Sequence, residues 1–97
     1  MNKSKYLIIL DAKSPIGGIY IDGDNDGYAC AGSLKHPVLS CVQITTDAPH
    51  FISATRILKK GGTSRQTLYL PYDSVVMVVG YDEDAHGDLG FQVQPPK

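Results

Sequence analysis

Ninety-seven residues, 42% hydrophobic and 20% charged, make one domain with one apolar core, and the composition excludes a disordered chain. The net charge of -1 is unevenly spread, residues 1–65 carrying +3 and residues 66–97 carrying -4. That split argues against a general nucleic-acid binder, which needs a strong basic excess, and suits unlike faces of neighbouring subunits that meet.

The amino terminus, MNKSKYLIIL, has lysines followed by a short apolar run that Asp11 interrupts. A secretory signal needs a longer apolar stretch and a small-residue cleavage site, so the segment reads as a strand. No run approaches the length of a membrane-spanning helix, and no membrane partner is expected. Beyond residue 11 the apolar clusters are short and rich in Val, Ile, Thr and Tyr, with Gly, Pro and Asp between them. Strands are predicted at 5–10, 17–22, 27–34, 38–46, 51–58, 66–71 and 74–80. The connections DAKSPIGG, DGDNDG, LKHP, TDAPH and LKKGGTSRQ all carry turn residues, and Pro71 to Ser74 reads as a short helical turn. Helix content should be low. The expected fold is all-β, a small, strongly bent antiparallel barrel of about five to seven strands. A single domain is expected over 1–97, its tail at 82–97 either adding a strand through LGFQV or staying mobile.

Two strands are apolar on both faces. Leu7 and Ile9 alternate with Tyr6, Ile8 and Leu10, and Val76 and Val78 oppose Val75, Met77 and Val79. A barrel strand facing solvent needs another cover, which a second copy of the chain supplies in the favoured reading and loops or the terminal tail supply in the alternative. Val76 and Val78 are therefore the expected interface residues of a homo-oligomer.

The stretch YIDGDNDGY carries the Asp-x-Asp-x-Asp-Gly spacing of a calcium loop, with Asp22, Asp24 and Asp26 as side-chain ligands and Tyr28 as a carbonyl ligand. Ser33 stands where a bidentate Glu is required, and the flanks read as strands rather than helices. A hairpin turn is the favoured reading, with a calcium site as the alternative and no other cofactor expected. Cys30 and Cys41 lie in alternating apolar patterns as small buried hydrophobes of a cytoplasmic protein, an inter-strand bridge being the alternative. His36, His50 and His86 read as exposed turn residues without zinc spacing, and no nucleophile motif is present. No catalytic residue is assigned.

A basic hairpin remains. Arg56, Lys59, Lys60 and Arg65 surround the 58–66 turn with Tyr69 downstream, so cations can hold phosphates while an aromatic ring stacks on a base. The bent strand pair followed by LYLPYDSVVMVV, over roughly 38–80, is similar to Sm-like and SH3-like domains in its strand rhythm. That resemblance implies ring assembly, or RNA or peptide binding. The sequence thus points to a self-associating interaction module without catalytic activity, with RNA or single-strand binding at 56–65 and calcium binding at 22–28 as alternatives.

Overall fold

The computed structural model of the chain describes residues 4–57, 64–82 and 93–94. In chain order the elements are β1 (Ser4–Leu10), α1 (Pro15–Ile21), β2 (Tyr28–Ala31), β3 (Leu34–Cys41), β4 (Gln43–Thr45), β5 (Phe51–Ile57) and β6 (Arg65–Pro71). A 3-10 turn (Tyr72–Ser74), where the sequence predicts one, leads into β7 (Val75–Asp82), and β8 (Val93–Gln94) follows.

These strands do not form a barrel. They make two antiparallel sheets, one of five strands in the order β7-β1-β3-β2-β8 and one of three in the order β4-β5-β6. Neither closes on itself, and with α1 packed against the core the architecture is a small two-sheet α/β domain. The expected all-β barrel, with its Sm-like or SH3-like outline, is overturned at two places in the chain.

The first is 17–22, predicted as a strand and found as helix. Ser14 is the N-cap, its Oγ accepting the Gly17 N–H at 2.9 Å, and Pro15 opens the first turn, where its missing N–H costs nothing. Ile16 and Tyr20, one helical turn apart, reach the core, while Ile19 stays exposed. At the other end Asn25 Nδ2 donates to the Tyr20 carbonyl at 2.7 Å, and the Tyr28 hydroxyl donates to the Ile21 carbonyl at 2.7 Å. These bonds satisfy acceptors that the helix end leaves open.

The second is 38–46, predicted as one strand. Its residues divide at Val42 between β3 in the larger sheet and β4 in the smaller one, and the Val42 N–H donates to Thr55 across the corner. β3 also changes partners along its length. Residues 34–37 pair with β2 and residues 38–41 with β1, so Pro37 sits at the handover. The predicted strand 27–34 resolves into β2 and the start of β3, joined by Gly32 and Ser33, with Gly32 at φ +63°.

Between the two sheets lie Ile8, Leu10, Leu39, Cys41, Ala54 and Leu70, all buried, with Ile16, Tyr20, Ile44, Leu68, Val75 and Val78 packed around them. Leu7, Ile9, Ala29, Val38 and Val79 cluster on the opposite face of the larger sheet. β1 is therefore an interior strand, between β7 and β3, and is buried on both sides, which accounts for its doubly apolar sequence. Of the tail, Val93 and Gln94 pair with Tyr28 and Ala29, and the rest lies outside the described residues.

The two helix glycines should respond oppositely to alanine. A Cβ at Gly17 would overlap the Asp11 carbonyl, whereas one at Gly18 meets no atom within 4 Å. Urea unfolding should show Gly17→Ala losing about 1–3 kcal/mol and Gly18→Ala gaining about 0.5–1 kcal/mol. Equal effects at both positions would contradict this helix.

Candidate functional site

The aspartate loop does meet a cation, but the cation is Arg56. Inward-facing positions of β5 alternate Ile52, Ala54, Arg56, and the Arg56 side chain is 4% exposed. Its Nη2 donates to Asp26 Oδ2 at 3.1 Å and its Nη1 to the Asp24 carbonyl at 3.1 Å. The same Asp26 oxygen accepts the Ser40 N–H at 2.8 Å, so one carboxylate joins the loop, β3 and β5. Among the described residues Arg56 Nε is buried without a hydrogen-bond partner.

Of the other members of the proposed calcium set, Asp24 also faces Arg56, its Oδ2 3.8 Å from Nη1, and the rest point elsewhere. Asp22 is the exposed C-cap of α1, and the Asp24 side chain is 75% exposed. Tyr28 belongs to β2, where its hydroxyl closes the helix end. Among the described residues no three His, Cys, Asp or Glu side chains gather in a way that could hold a metal ion. The loop is instead a backbone device. Asn25 Oδ1 accepts the Gly27 N–H at 3.1 Å, and Asp26 and Gly27 make main-chain bonds to Val38. Gly27 takes φ 136°, a conformation that side chains disfavour.

Cys41 stands in the core beside this ion pair. Burial pushes its thiol up to about 11, Arg56 pulling it down and Asp26 pushing it up by smaller amounts. The thiol therefore stays protonated at neutral pH and is no nucleophile. Cys30 is exposed, contrary to its reading as a buried hydrophobe, and both cysteines are free. His36, expected in an exposed turn, is buried in β3, where Nδ1 accepts the Ala12 N–H at 3.1 Å and anchors the loop before α1. His50 is exposed, and His86 lies outside the described residues.

The five residues proposed for nucleic-acid contact are divided by the fold. Arg56 is inside the protein, a correction that its parity with Ile52 and Ala54 could have supplied. Lys59 and Lys60 lie outside the described residues. Arg65 and Tyr69 are both exposed and share the outer face of β6.

That outer face contains residues that sequence reasoning did not single out. Cross-strand register sets Ile57 opposite Arg65, Thr55 opposite Thr67, Ser53 opposite Tyr69 and Phe51 opposite Pro71. Tyr69 is 64% exposed and braced edge-on by Phe51, with centroids 5.6 Å apart and planes at 88°. Thr55, half-buried, and Thr67, exposed, bring their hydroxyls to 3.2 Å. β4 adds Gln43 beside Thr55 and Thr45 beside Ser53. From Phe51 to Tyr72 the sequence contains no Asp or Glu. A face of this kind can stack a planar ring on Tyr69 and pair an anion with Arg65.

β7 gives the two proposed interface residues different environments. The register with β1 runs from Ile9–Met77 to Leu10–Val75, so Val76 is the extra residue of a bulge. Val75 and Val78 pack into the core between the sheets, whereas Val76 and Met77 are 54% and 47% exposed. Among the described residues no helix is long and apolar enough to cross a membrane. No protein-family model, no curated protein and no solved structure matches the chain.

Removing the buried guanidinium tests the loop account. Arg56→Met should cost about 2–3 kcal/mol in urea unfolding, because it takes the guanidinium away from a carboxylate that is only 17% exposed. Asp24→Asn should stay within about 0.5 kcal/mol of the parent, since Asp24 meets Arg56 chiefly through its carbonyl. Similar losses in the two variants would show that the carboxylates share the cation.

Proposed function

We propose that the protein acts by binding rather than catalysis, and that it holds single-stranded nucleic acid on the outer face of β4, β5 and β6. The exposed Tyr69 ring, braced by Phe51, carries this reading. A braced aromatic on a sheet face offers a stacking platform whose position is fixed before ligand arrives, so less conformational entropy is lost on binding. Arg65 supplies a phosphate contact four residues away on the same strand face, about 13 Å along the chain. The absence of carboxylates from Phe51 to Tyr72 removes the repulsion an anionic chain would otherwise meet, although the whole molecule is slightly acidic. Two free cysteines suit a reducing cytoplasmic location.

Fluorescence anisotropy with a labelled ten-nucleotide single strand tests the proposal. Tyr69→Ala should weaken binding by about 1 kcal/mol or more, with Arg65→Gln lowering both affinity and the steepness of its salt dependence. A parent protein that binds no single strand at low salt removes the reading.

A second reading concerns partners of the same chain. β7 has only β1 as a neighbour among the described residues, carries no charge from Val75 to Tyr81 and leaves Val76 and Met77 exposed. An uncharged edge of that length pairs readily with another strand, and a second copy presents the same edge. Light scattering should then give a dimer that Val76→Lys converts to a folded monomer. A monomeric parent at tens of micromolar, on the order of the concentrations where exposed edges associate, removes it.

A further inference from the structure

We propose that the outer sheet face prefers RNA to DNA, through the hydroxyl pair of Thr55 and Thr67. The inference rests on the single-strand reading above and names the sugar that the surface takes. Along β6 the outward positions run Arg65, Thr67, Tyr69, so the threonine pair stands between the phosphate contact and the stacking ring. Each of these steps spans two residues, about 7 Å. A strand whose base lies on Tyr69 and whose backbone runs to Arg65 must carry a sugar across the threonines.

The chemistry at that point fits a group that both donates and accepts. The two hydroxyls lie 3.2 Å apart and either can be the donor. One hydrogen is spent within the pair. The other stays free, together with unused lone pairs on both oxygens. A ribose 2′-hydroxyl can accept that hydrogen and donate its own into the lone pairs, whereas deoxyribose has only ring and ester oxygens there, which accept but cannot donate. Gln43 and Ser53, beside the pair across the strands, extend the polar patch without adding a negative charge. The position next to the threonines is therefore hydroxyl-rich, whereas the ends of the face are aromatic and cationic.

The experiment compares labelled ten-nucleotide oligouridylate with the matched oligodeoxyuridylate at one salt concentration, so that the base is constant and only the sugar changes. The parent should bind the RNA about five- to tenfold more tightly. The double variant Thr55→Val/Thr67→Val keeps β-branched side chains on outward-facing strand positions. It should lower RNA affinity to the DNA level, leave DNA affinity unchanged and melt like the parent. Thr67→Ser, which retains a hydroxyl, should keep the preference and serves as the control if the double variant does not fold. Equal binding of the two strands by the parent, or tighter binding of DNA, overturns the sugar preference and leaves single-strand binding standing. A preference that survives in the double variant overturns the role of the threonines. Failure to bind either strand overturns both this inference and the reading beneath it.

Discussion

One buried guanidinium connects most of the architecture. Arg56 reaches from the middle layer of β5 to the loop between α1 and β2, and through Asp26 to the Ser40 amide of β3. A charge so enclosed would be costly if left alone, so the loop must come to it. Once Asp24 and Asp26 are held, Asn25 between them is aimed at the end of α1 and Tyr28 enters β2 with its hydroxyl on the same helix end. The helix, the larger sheet and the smaller sheet are thereby fixed relative to one another by polar contacts, while the apolar cluster between the sheets supplies the bulk of the burial. The orphaned Nε shows that the fit is incomplete, and an arginine retained under that cost specifies position more than it adds stability.

Burial of Arg56 also determines the outer surface. Strand side chains alternate strictly, so placing Arg56 with Ile52 and Ala54 sends Phe51, Ser53, Thr55 and Ile57 outward. A slip of one residue would exchange the sets, burying an aromatic and two hydroxyls and exposing an alanine and an isoleucine. The ion pair and the apolar contacts of Ala54 and Ile52 oppose that slip together. The braced tyrosine and the threonine pair are thus consequences of a register that the interior sets.

Much of the strand inventory was legible in the sequence, and its assembly was not. β1, β5, β6 and β7 stand close to where alternation and turn residues predict them, and the turn at Tyr72–Ser74 falls where Pro71 and Ser74 indicate one. The helix was hidden because Gly17 and Gly18 weaken any helical stripe, although Ser14-Pro15 is a start signal and Ile16 and Tyr20 have helical spacing. The barrel failed because strand rhythm is the same whether consecutive strands share one sheet or cross between two. Val42, where the chain changes sheets, has no glycine or proline beside it to mark the corner. In the aspartate loop the spacing was readable and the partner was not, since Arg56 lies 30 residues from Asp26 along the chain. At β7 a bulge broke the alternation that had put Val76 and Val78 together, and bulges leave little trace in sequence.

The distribution of charge decides what kind of contact the outer face can make. Of the two arginines that flank the β5–β6 turn, Arg56 is spent on Asp26, so Arg65 is the cation that remains at the described positions of the face. With a net charge of -1 the molecule exerts no strong long-range pull on a polyanion, and screening at about 0.1 M salt already acts over roughly 10 Å. Recognition on such a surface has to come from short-range geometry. In the proposed complex the aromatic pair would fix where a ring lies, the threonines would meet the sugar beside it, and Arg65 at the far end would give the strand its direction.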